Sequence, residues 1–393
     1  MIRAMRPATG LVLVLLCGPA VAQTQPPAPR VTLDVALPPP ADHRLSGLGP
    51  PGRLAVGADG SIYVASSSFQ PSPDGVLPAR SAHIELSAYT RDGAQKYRTR
   101  LPVQAGIGPN GFNAESLGVV PFPSGETAVF LSSSNTRVAL PQDERSVTTL
   151  FRVDASGKVQ SAASVLPATN ASGAFYRTRL YAPTADNGLL VAGGYGPDPF
   201  NWWIGKFDAT GQRTWQAGPG PAYPEDVYGL AVKPDGSVSA IIQEIGQASG
   251  LSQWYVARFG ADGTPQGRAP FNTLGTSFVM LPGFWVSTVD AFQTANAPAL
   301  VRLGEQGKVL GTAPWPFDQT RRLIADGDGV AAVACAAAGP LCFVVRAGVD
   351  GNIRWQSEAG SFTDIARAPD GQIVAVSWSA DMLSASVVRF ANP

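Results

Sequence analysis

Any chemistry in this sequence has to be done with little imidazole, because His43 and His83 are its only histidines. That scarcity argues against mechanisms that gather several imidazoles, most zinc hydrolases among them. Acidic pairs stand at Asp143-Glu144 and Glu225-Asp226. Neighbours on a strand face opposite ways, although a loop can turn both toward one cation. Aromatic pairs stand at Trp202-Trp203 in DPFNWWIGK and at Trp254-Tyr255 in SQWYVARF. One member of each pair is expected to pack as core, and the other could offer a flat face to a sugar ring or a peptide. No nucleophile elbow, phosphate loop or dinucleotide fingerprint occurs. Lys+Arg 29 and Asp+Glu 29 cancel, with a pI near 6.7, which argues against nucleic-acid binding.

Cys335 and Cys342, in VACAAAGPLCFV, are expected to form a disulfide across a hairpin whose connection holds Gly339-Pro340. No histidine or further cysteine lies beside them to complete a zinc site, so no metal ligands are assigned. Residues 1–22 read as a secretory signal: Arg3 and Arg6, an apolar run from Leu11 to Leu16, and Ala20-Val21-Ala22 before the cut. The apolar run is too short to span a bilayer. Cys17 follows Leu15 and Leu16 rather than the small residue of a lipoprotein signal. The reading is therefore a periplasmic or secreted, monomeric protein with a Pro-rich lead-in over residues 23–29, no transmembrane segment and a single domain over 30–393.

The elements that must position these residues are short strands. Gly 43 and Pro 35 are too many for a helical protein, while 45% hydrophobic residues supply an ordinary core. Two strand–turn–strand signatures alternate. One appears seven times, as in RLAVGADGSIYVASS from Arg53, GLAVKPDGSVSAII from Gly229 and IARAPDGQIVAVSWS from Ile365. The other appears six times, as in LFRVDASGKVQSAASVLP and VVRAGVDGNIRWQSEAG. One copy of each makes a four-stranded meander, and the spacing is that of propeller blades.

The missing seventh copy is supplied by both ends. SVVRFANP at the C-terminus matches a third strand, and RVTLDVALP, Arg30 to Pro38, matches a fourth. The expected fold is an all-β, seven-bladed β-propeller of four-stranded antiparallel blades, the last closed by the N-terminal strand. Third strands also carry a basic residue at one fixed place: Arg152, Lys206, Arg258, Arg302, Arg346 and Arg389. Each is expected to lay its stem on the next blade and keep its head wet near a turn aspartate.

GADGSIYVA and KPDGSVSAI resemble repeats of secreted bacterial propellers of the NHL and streptogramin-lyase type. DATGQRTWQAG and VDGNIRWQSEAG resemble the tryptophan-docking repeats of quinoproteins, with Trp215 and Trp355 at the docking position. The resemblance covers almost all of the chain after residue 22 and implies blade packing rather than a reaction. The adjacent-cysteine pair of many quinone-dependent dehydrogenases is absent.

Loop lengths point to a functional face. Tight turns such as Asp59-Gly60 and Asp262-Gly263 gather at one end of the blades, and long, varied connections gather at the other. Ligand sites concentrate in variable loops on a rigid scaffold. His43, Arg80, His83, Trp202, Tyr223, Glu225, Asp226, Asp318 and Arg321 are expected to surround or approach one mouth at the long-loop end. The function expected is binding of a protein, peptide or glycan there, with no cofactor identified. The alternative is an enzyme at the channel mouth: a lyase or lactonase using a cation, or a quinone-dependent dehydrogenase.

Overall fold

The computed structural model describes residues 26–38, 44–45, 54–69, 82–102, 113–134, 146–166, 175–196, 201–218, 225–245, 252–272, 275–290, 297–336, 341–379 and 384–392. The expected signal segment, residues 1–22, lies outside them. Seven antiparallel sheets follow one another along the chain, each a meander whose first strand is innermost. The inner strands are Leu54–Val56, Asn113–Pro121, Phe175–Pro183, Glu225–Val232, Ser277–Leu281, Gln319–Asp326 and Ser361–Arg367, numbered here as blades 1 to 7. Each packs beside the next, and the seventh returns to the first. The fold is thus the seven-bladed propeller that the repeats predict.

Closure also follows the prediction. Val31–Leu37 pairs antiparallel with Ala385–Phe390 as the outermost strand of blade 7. Leu37 is buried, and Leu33 and Val35 pack on a cluster shared with blade 1 through Leu54, Ile62 and Val64. The two ends of the chain are therefore joined by a sheet ladder rather than left as edges.

Glycines make the repeat possible at the tight turns. Gly263 has φ +83°, and a Cβ there would stand 2.6 Å from the Trp215 ring of the preceding blade. The Trp215 indole N–H donates to Ala261 O at 3.0 Å, so the tryptophan docks on the next blade's turn. Gly157 receives Tyr97 in the same way. Trp355, at the other docking position, is buried against Phe390 of blade 7. Blade 3 uses a different residue in its first turn: Asn187, at φ 58°, takes the left-handed place that glycine holds in the others.

The third-strand cations are drier than the sequence suggested. Lys206 pairs with Asp186 at 2.6 Å, Arg389 with Asp370 at 2.5 Å, and Arg346 with Asp326. Arg152 instead donates to the carbonyls of Asn187 and Asp208 and lies over the Phe122 ring. Arg152 and Arg389 are only 3% and 4% exposed, because neighbouring turns cover the heads as well as the stems. Cys335 and Cys342 face each other across the second and third strands of blade 6 and form a disulfide, their Cα atoms 4.0 Å apart.

One irregularity recurs where it matters for function. The inner strands of blades 2, 3, 4, 6 and 7 each carry one extra residue: Glu115, Arg179, Tyr228, Arg321 and Thr363. Arg44–Leu45 pairs with Phe69 and Ser68, and Leu54–Val56 resumes opposite Val64, leaving residues 46–53 between. Bulges bend a strand and re-aim its side chains, here on the strands that line the channel.

Candidate functional site

The concavities built from described residues include a groove between blades 3 and 4, a cavity in the central channel, and a third at the turns of blades 1, 2 and 3. The groove follows from strand alternation. Trp203 turns toward blade 2 and Trp254 toward blade 5, and both are buried. Their neighbours Trp202 and Tyr255 point into the interface between blades 3 and 4, from opposite walls, and remain half-buried. Each aromatic pair therefore has one member in the core and one lining an open space of about 440 Å³.

Small residues leave that space. Ala217 and Gly218 end the blade 3 side, and Gly267 stands on the outer strand of blade 4. The Trp202 ring is tilted against Phe259 at 6.0 Å. Arg268 lies 4.5 Å over the Tyr255 ring and pairs with Glu244, which puts a fixed cation and carboxylate on the rim. Gln216 adds an amide. The groove combines aromatic faces with hydrogen-bonding groups, the composition suited to a ring-shaped polar ligand.

The predicted mouth residues are placed unevenly. His43, Arg80 and Tyr223 lie outside the described residues. The backbone of His83 is opposite Ser68, one step from where Arg44 and Ala82 flank Phe69, so positions 44 and 83 share one end of blade 1. Glu225 and Asp226 open the inner strand of blade 4, and the Asp226 carboxylate accepts from the N–H of Val227 at 2.9 Å. Asp318 precedes the inner strand of blade 6, its own N–H donating to Cys335 O. Arg321 is the exposed bulge residue of that strand and reaches Phe362 O of blade 7 at 3.5 Å. Trp202 stands on a third strand, two strands out from the channel, and belongs to the groove.

Three channel residues were not singled out from the sequence: Tyr181, Arg322 and Asp364. The channel holds a cavity of about 300 Å³ walled by inner strands of blades 1, 2, 3, 6 and 7. Asp364, 2% exposed, accepts N–H bonds from Leu54 and Ile365 at 2.9 Å each. Arg322 comes within 3.5 Å of it. The Tyr181 ring occupies the space that a side chain at Gly118 would fill. Burial raises its phenol well above the ordinary tyrosine range, with the Arg322 charge opposing, so it remains a protonated donor.

Asp290 ties blade 5 to blade 6 at Thr320. Its carboxylate accepts from the Thr320 N–H at 3.1 Å and is 5% exposed. Burial pushes its pKa up to about 6, hydrogen bonds notwithstanding. A raised carboxyl contributes its full stability below the unfolded value near 3.8 and loses it as pH rises through about 6. The advantage of Asp290→Asn over the wild type should therefore grow by about 1.4 kcal/mol between pH 5 and pH 8. Urea unfolding at the two pH values measures it. An unchanged difference would show that this carboxyl titrates normally.

No family model and no curated protein matches the chain. Solved structures do. An ulvan lyase of a new polysaccharide lyase family, bound to -[GlcA(1-4)Rha3S]-, is 9% identical, with 88% of this chain and 94% of that one covered and a TM-score of 0.54. Polysaccharide lyase Uly1 is 12% identical over 87% and 90%, with a TM-score of 0.53. The β-propeller domain of the Trilobed protease from Pyrococcus furiosus, with an open velcro topology, is 10% identical over 90% and 94%, also at 0.53. At such identities the likeness is one of fold: the chain is a β-propeller, closed here by its own N-terminal strand.

Proposed function

We propose that this protein is an exported propeller that binds a glycan in the groove between blades 3 and 4. The observation that carries this reading is the convergence of Trp202 and Tyr255, from adjacent blades, on one space large enough for a sugar ring or two. Aromatic faces stack on the apolar faces of sugars, and Glu244, Arg268 and Gln216 supply hydrogen bonds at the rim. Export rests on the signal-like residues 1–22. The ulvan lyase complex supports the point that a propeller of this shape accommodates a glycan.

A glycan array followed by calorimetry on the best binder tests the proposal. Trp202→Ala and Tyr255→Ala should each weaken binding by tenfold or more, on the order of 1.4 kcal/mol or above. Trp202→Ala should lower the melting temperature, because its ring packs on Phe259, so Tyr255→Ala and a circular-dichroism check that both variants remain folded carry the test. An array without a binder, or affinity indifferent to both substitutions, would overturn the reading. Turnover of the bound glycan would favour the enzyme alternative.

A further inference from the structure

A second site is written into the channel. Arg322 extends from the inner strand of blade 6 toward the inner strand of blade 7, where the Asp364 carboxylate lies 3.5 Å from its Nε. That carboxylate is already engaged by two backbone N–H groups, and the 3.5 Å separation is too long for a good hydrogen bond. The buried Nε of Arg322 has no hydrogen-bond partner among the described residues, and the side chain is 29% exposed within the channel wall. A guanidinium presents five donors in a planar fork, and among the described residues the Nε donor of this one is unspent.

Its surroundings favour an anion. Arg321, next in the chain, is exposed at the bulge and leans toward the same strand of blade 7. Tyr181 brings a phenol close enough to feel the Arg322 charge. Arg367, at the other end of the cavity, is engaged with Asp326 and adds positive charge to the wall. Leu54, Val119, Ile324 and Ile365 supply apolar patches to the same wall and lower the local polarizability around the guanidinium. A guanidinium with donors to spare beside a hydroxyl is an arrangement that holds a carboxylate or sulfate oxygen set.

We propose that the central channel binds a small oxyanion, a carboxylate or a sulfate, on Arg322, with Tyr181 beside it and Arg321 adding positive charge at the neighbouring bulge. The volume of about 300 Å³ admits one acidic monosaccharide or an inorganic anion. This site is separate from the groove between blades 3 and 4, and neither depends on the other.

Equilibrium dialysis with radiolabelled sulfate and with D-glucuronate, at constant ionic strength, tests it on the full mature protein. Uncharged glucose serves as the control. Saturable binding of one equivalent, with mutual competition between the two anions, is the expected result. Binding of only one of them would identify sulfate or carboxylate as the preferred group. Arg322→Gln should weaken binding at least tenfold. Arg354→Gln removes an equal charge from an exposed pair with Asp328 and should bind as the wild type does. Trp202→Ala should also bind normally, which separates this site from the glycan groove. If Arg322→Gln misfolds, phenylglyoxal labelling of the wild type decides: Arg322 should be protected by the anions and not by glucose. Glucose binding equal to glucuronate, no saturable anion binding, or absence of protection would overturn the proposal.

Discussion

Removal of residues 30–38 should lower the melting temperature by roughly 10 °C or more and make the protein aggregate, because it strips blade 7 of its outer strand. The loss has three parts. Leu37 leaves a buried place, while Leu33 and Val35 leave the blade 1 turn at Gly93, which they touch. Each buried aliphatic side chain contributes about 1.5–3 kcal/mol. The ladder to Ala385–Phe390 is lost as well, and with it the bond from Ala391 N to Arg30 O. The bare edge then offers its unpaired backbone to other chains. A synthetic peptide of residues 30–38, added in excess, should restore much of the melting temperature. Identical unfolding of the truncated and untruncated proteins would mean that the ring is held shut by inner-strand packing alone.

Asp326→Ala should cost about 3 kcal/mol, the largest effect expected of any single substitution here, because two arginines lose their shared carboxylate at once, Arg346 keeping only Asn392 and Arg367 only water. Asp326 is 1% exposed and takes Arg346 from the third strand of blade 6 and Arg367 from the inner strand of blade 7. It is the joint between the two blades at the tight-turn end. A buried carboxylate that is bonded on both oxygens hardly tolerates removal, yet the whole group need not be superior to apolar packing. Asp326→Leu combined with Arg346→Met should therefore recover a good part of the loss. Denaturant unfolding of the three proteins measures both statements. A cost below about 1 kcal/mol for Asp326→Ala would show that water reaches the site and screens the charges.

Much of the scaffold can be read from residue order because its determinants are local. A turn needs a left-handed residue, so Asp-Gly pairs such as Asp59-Gly60 and Asp350-Gly351 mark hairpins wherever they stand. Seven inner turns and six outer ones then count the blades, and the unmatched half-blades at the two ends supply the closure. The disulfide is equally local: two cysteines seven residues apart, flanking a Gly-Pro turn, fall opposite each other on paired strands. The aromatic doublets were half legible. Alternation says that one member faces each way, but which face is open depends on what the neighbouring blade presents, and only packing shows that Ala217 and Gly218 leave room beside Trp202.

The channel chemistry belongs to the tertiary structure. In the sequence, Arg321 and Arg322 are a basic doublet at the start of a strand, and loop length points to Arg321 alone. An extra residue at position 321 breaks the two-residue period, and the register beyond it places Arg322 near Asp364 of another blade. The Arg44–Leu45 pairing was hidden for a related reason, since eight intervening residues separate it from the rest of its inner strand. Asp290 and Asp326 likewise look like ordinary turn or loop acids until their burial is known. Hydrogen-bonding period and turn preference act over a few residues and are carried by the chain itself. Burial, charge pairing and the outcome of a bulge arise where strands distant in sequence meet, so they exist only once the ring has closed.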